Sequence, residues 1–94
     1  MQRQDYIERM IQQLAQAIAV AMGAARSGNV QQAQDEIRRA WSSAVGLRRE
    51  DVMRLDPATV RALLGEKREL AVMLLEAEVE LGDREAARVL AALR

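Results

Sequence analysis

Ile7, Ile11, Leu14, Ile18, Ala21 and Ala25 recur at steps of four, three, four, three and four, the spacing that gathers side chains on one face of a helix. It predicts a long amphipathic helix from about Gln4 to Arg26, closed at Gly28, where glycine can take the left-handed conformation that ends helices. Asn29 then caps a second helix, with Gln32 completing a capping box. Its buried stripe is expected to be Val30, Ala33, Ile37, Ala40, Trp41 and Ala44, and Gly46 stops it. A connection this short makes the two helices antiparallel neighbours.

The middle of the chain is punctuated instead of periodic. Val52, Met53 and Leu55 suggest a turn or two of helix, and Asp56-Pro57 is an N-cap followed by a first-turn proline. Val60, Leu63 and Leu64 then mark a short helix ending at Gly65. A longer helix follows with Leu70, Met73, Leu74, Ala77 and Leu81 on one face, and after Gly82 the N-cap Asp83 opens a last helix that buries Ala86, Val89, Leu90 and Leu93. The expected fold is all-α, one helical domain over residues 1–94: a first helix hairpin in 1–46, connector helices in 47–65 and a second hairpin in 66–94. Composition agrees, since half the residues are apolar while Tyr6 and Trp41 are the only aromatics. A core filled by alanine and aliphatic side chains suits helices that approach closely.

Aligning Gly28 with Gly82 places Ala33 over Ala87 and Ile37 over Ala91. With Ala40, the first copy is similar to the turn and second helix of a tetratricopeptide repeat. The two glycines stand too far apart for adjacent repeats, and generic close-packed helix pairs need small residues at the same offsets. The "DYI" of Asp5, Tyr6 and Ile7, the "RMI" of Arg9, Met10 and Ile11, and the later "GNVQQAQDEIRRAW" resemble a family of small bacterial helical proteins of unknown function. That resemblance implies a bacterial, cytoplasmic helical protein and no activity.

Several functions lack their chemistry here. Fourteen basic residues balance fourteen acidic ones, leaving no electrostatic footprint for nucleic acid or an anionic membrane. The absence of histidine and cysteine removes the usual general base, metal ligand and thiol, and suits a reducing compartment. Ser27, Ser42 and Ser43 have no activating partner. Glu69, Glu76 and Glu80 share a helix face but lack the histidines of carboxylate metal bundles, so they read as a solvated face. The doublets Arg38-Arg39 and Arg48-Arg49 lie beside Asp35, Glu36, Glu50 and Asp51, which favours local ion pairing over phosphate binding. Trp41 is expected in the core with its indole nitrogen satisfied. The apolar run of residues 14–25 is expected to be helix and not a cleaved leader, because Asp5, Glu8 and Gln16 interrupt the pattern of one. No cofactor, metal, nucleic acid, membrane or small-molecule partner is predicted, and no catalytic residue.

A partner protein is. The first helix should outrun the second by about 11 Å at the standard rise per residue. That overhang carries Tyr6, Ile7, Met10 and Ile11, the candidate interaction surface. Either the second hairpin folds back over them or a second copy or another protein covers them. The expectation is a non-catalytic interaction or assembly module and a homodimer, with a small-ligand carrier or an enzyme of unfamiliar type as the alternative.

Overall fold

The computed structural model describes residues 3–94, and every regular element among them is helical. Helix α1 (Arg3–Arg26) turns into α2 (Val30–Ala40), which continues through a widened turn over Trp41–Val45. Two short helices, α3 (Arg49–Arg54) and α4 (Pro57–Leu64), lead through a tight turn at Gly65–Lys67 into α5 (Arg68–Glu80), and α6 (Arg84–Leu93) returns along α5. The all-α architecture read from the periodicity is the one observed.

Both hairpin turns are built alike. Gly28 takes φ 85° and Gly82 takes φ 90°. Gly28 N–H donates to Ala25 O at 3.0 Å and Asn29 N–H to Ala24 O at 2.8 Å; Gly82 N–H donates to Val79 O at 2.9 Å and Asp83 N–H to Glu78 O at 3.0 Å. This pair of bonds satisfies carbonyls that a helix end leaves orphaned, and only glycine takes the left-handed position without strain. The next residue in each case caps the following helix: Asn29 Oδ1 accepts from Gln32 N–H at 3.1 Å, and Asp83 Oδ1 accepts from Ala86 N–H at 3.0 Å. The capping box is complete, since Asn29 Nδ2 also donates to Gln32 Oε1 at 2.9 Å.

The internal alignment stops at the turns. Ala33 and Ile37 are buried on α2, but Ala87 and Ala91 are exposed on α6, which turns Ala86 and Leu90 inward instead. The two second helices are thus rotated by about one residue against each other. Two stripe expectations also fail: Val30 and Leu63 are each 54% exposed. Val30 opens α2 directly after the turn, before a neighbour can cover it, and α4 is a short surface helix that buries only Val60 and Leu64. On α5, Met73 and Leu81 are half-buried, while Ala71, Leu75 and Glu78 take the interior.

One apolar cluster joins all six helices, from Leu14 and Ala21 on α1 through Ile37, Val52 and Val60 to Leu74 and Leu93. Helix α1 packs on α2 and on α5, and α6 receives both connector helices. Arginines close the far end: Arg61 Nη1 donates to Ala92 O at 2.8 Å, Arg68 donates to Leu93 O, and Arg88 Nη2 reaches Met53 O at 3.1 Å. Two of these satisfy carbonyls that the last turn of α6 cannot.

Candidate functional site

Trp41 is the largest fully buried side chain, and a buried indole N–H needs an acceptor. It donates to Glu78 Oε2 at 3.1 Å. Glu78, 5% exposed, is the one buried charged residue among those described. Its Oε1 accepts from Arg49 Nε, and Arg49 Nη2 donates to Asp83 Oδ2 at 2.5 Å. Glu85 stands 4.0 Å from Arg49 Nη1. Four residues from four segments therefore form one polar network.

Local geometry delivers each member. The turn at Trp41–Val45 is closed by a bond from Gly46 N–H to Trp41 O at 3.0 Å, one residue wider than an α-helical turn. Gly46, at φ 81°, then lets the chain leave α2, and α3 begins at Arg49. Glu78 lies near the end of α5, and Asp83 is the N-cap of α6, so one carboxylate both starts a helix and holds the guanidinium. Burial pushes the Glu78 carboxyl above the usual carboxylate range, against the opposing pull of Arg49 and Trp41. Burial also works against the charge on Arg49, but its bond to Glu78 and the charges of Glu78, Asp83 and Glu85 outweigh this and raise its pKa. Both Glu78 oxygens are engaged by donors, which suits the network to fixing the first hairpin, the connector and the second hairpin together.

A cleft of about 450 Å³ lies beside this network, between the two glycine turns. Ala25, Val30, Ile37 and Leu81 supply its apolar part, and Arg38 and Glu80 add charge. A second, shallower groove of about 270 Å³ separates α1 from α5, with Ala15, Ile18 and Met22 on one side and Met73, Ala77 and the exposed carboxylates Glu76 and Glu80 on the other.

The residues singled out from the sequence are dispersed. Tyr6 is 45% exposed; Ile7, Met10 and Ile11 are half-buried, and Met10 and Ile11 touch the core cluster. The second hairpin reaches α1 through α5 without enclosing these four side chains. Glu69, Glu76 and Glu80 are all exposed, with Glu76 3.5 Å from Arg94. Arg39 pairs with Glu36 at 2.6 Å, Arg48 with Asp51 at 3.4 Å and Arg38 with Glu50 at 3.9 Å, the local pairing expected for these arginines. Arg49 alone turns inward. Sequence reasoning passed over Glu78, although a signal existed: it stands four residues after Leu74 and three after Leu75, on the apolar stripe of α5. A carboxylate in that register requires a partner.

Among the described residues no helix is long and apolar enough to cross a membrane, and no group of three acidic side chains is placed to hold a metal ion. Comparison of the chain with protein-family models, with curated proteins and with solved structures finds no match.

Proposed function

We propose that this chain is a non-catalytic assembly module that pairs with a second copy of itself through α1, in a cytoplasmic setting. One observation carries the reading: α1 spans 24 residues but fully buries only Leu14 and Ala21 of its apolar stripe. Ile7, Met10, Ile11, Ile18 and Met22 stay half-buried and Tyr6 is largely exposed. Contiguous apolar surface of this kind marks interaction sites, and a small domain gains most from covering it. The likeness to the DYI-x-RMI proteins supports a bacterial setting, and the burial of Ala33, Ile37 and Ala40 after the Gly28 turn supports tetratricopeptide-like packing in the first hairpin.

Light scattering across protein concentration tests the proposal. The wild type should run as a dimer, and where the overhang at the start of α1 forms the contact, Tyr6→Ala with Met10→Ala lowers its mass while leaving the fold intact. A monomer whose double variant only melts earlier would overturn it and return these side chains to the core. A second reading, a small-ligand carrier, is favoured by the cleft of about 450 Å³ beside the Arg49–Glu78 pair. A specific metabolite co-purifying in stoichiometric amount would support that reading instead.

A further inference from the structure

Helix α1 carries a second apolar line that shares Ile11 and Ile18 with the stripe running through Leu14 and Ala21. Ile11, Ala15, Ile18 and Met22 follow one another at steps of four, three and four. In the structure Ala15 is exposed and the other three are half-buried, and Ala15, Ile18 and Met22 form one wall of the shallow groove against α5. Helix α5 touches this line without filling the space above it. The line is also self-complementary. Turned end for end, it sets Ile11 against Met22 of a second copy and Ala15 against Ile18, with every pair repeated by the two-fold axis. The small side chain of Ala15 lets the backbones approach at the centre.

Charge agrees with this register to within one residue. Glu8 and Arg26 are both exposed, and their separation of 18 positions amounts to about five turns, so they share one side of α1 roughly 27 Å apart. By the helical period that side adjoins Ala15 and Met22 of the apolar line. In the antiparallel pairing, Glu8 of each copy comes beside Arg26 of the other, giving two ion pairs across the axis. The overlap runs from about residue 7 to residue 26, some 30 Å of helix.

We infer that the groove between α1 and α5 is the contact surface for a second copy of this chain, with the two α1 helices antiparallel, Ile11 over Met22, Ala15 over Ile18 and Glu8 beside Arg26. The inference rests on the assembly reading of α1 and assigns the contact to its α5-facing side. Pairing α1 with α1 over a floor supplied by α5 makes a four-helix contact from two identical halves.

Charge reversal tests both partner and register. Glu8→Arg and Arg26→Glu, measured singly by sedimentation or light scattering, should each weaken the dimer by roughly tenfold, since each removes two exposed pairs and sets like charges together. The double reversal should restore the wild-type constant. Because the two positions are five turns apart on one helix, restoration can only arise between copies. The dimer should also weaken as salt is raised. A double variant no tighter than the singles overturns the register, as does a dimer indifferent to all three changes. Should Tyr6→Ala with Met10→Ala abolish the dimer while charge reversal does nothing, the overhang is the interface: the assembly reading survives and this one fails. A wild type that stays monomeric at every concentration overturns both.

Discussion

Replacing Arg49 with methionine removes the guanidinium while keeping an apolar stem in place of the arginine's, and it strands a carboxylate in the core. The Arg49 side chain is 14% exposed and that of Glu78 only 7%, so neither has much water to fall back on. Breaking a buried pair by deleting one partner costs about 3–5 kcal/mol. Asp83 is 31% exposed and can rehydrate, so the lower end, about 3 kcal/mol, is expected. A 94-residue domain has roughly 5–14 kcal/mol in all, and a loss of this size should lower Tm by roughly 12–24 °C. Trp41, the only tryptophan and fully buried, reports unfolding in urea by fluorescence. The penalty also has a sign in pH. Burial already raises the Glu78 carboxyl, and loss of Arg49 raises it further. An acid raised in the folded state contributes stability that is present below its unfolded value, about 4.3, and lost as pH climbs through the folded value. Arg49→Met should therefore be mildest near pH 4 and most severe near pH 7. Adding Glu78→Gln keeps an acceptor for the indole, removes the charge and should recover about 2 kcal/mol of the loss at neutral pH. A loss under about 1 kcal/mol, or one that does not change with pH, would refute this reasoning.

Trp41→Phe removes both ring volume and the N–H donated to Glu78, and should cost about 2–4 kcal/mol by circular-dichroism melts. Gly28→Ala should cost about 1–2 kcal/mol through its left-handed backbone alone, because open space surrounds the new methyl. Gly23→Ala, in the interior of α1 with equal space, should stabilise by roughly 0.5–1 kcal/mol in the same denaturation assay. Glu78→Gln in the otherwise unchanged chain should flatten the pH dependence of stability above the ordinary glutamate range, where the wild type declines against it.

The parts of the fold that were legible in the sequence are those written in local chemistry. The glycine turns, the caps at Asn29, Asp56 and Asp83, and the heptad-like steps of α1 each depend on residues within one or two turns of one another. What the sequence concealed depends on distant neighbours. Arg49 and Arg48 are indistinguishable as a doublet, and only the bend at Gly46 decides which one faces Glu78. Glu78 sits among Glu69, Glu76 and Glu80, all solvated, and its different fate follows from a two-residue offset onto the apolar stripe. The candidate surface on α1 was legible as apolar excess, but not which edge α5 would leave uncovered. The widened turn at Trp41 left no mark in composition or period.

The Trp41–Glu78–Arg49–Asp83 network also bears on how long the folded state lasts. Its bonds span 37, 29 and 34 residues, whereas the caps and turns close within five. Helices form in about a microsecond or less, and loop closure grows only slowly with length, so bringing the hairpins together is not the slow event. Burying a carboxylate is favourable only once its donors are in place, so these bonds are expected to form after the apolar faces have met. Changes at Arg49 or Glu78 should then accelerate unfolding in stopped-flow experiments and leave the folding arm almost unmoved. The unfolding rate is thus expected to answer to three polar side chains and one indole, and the folding rate to the alanines and leucines.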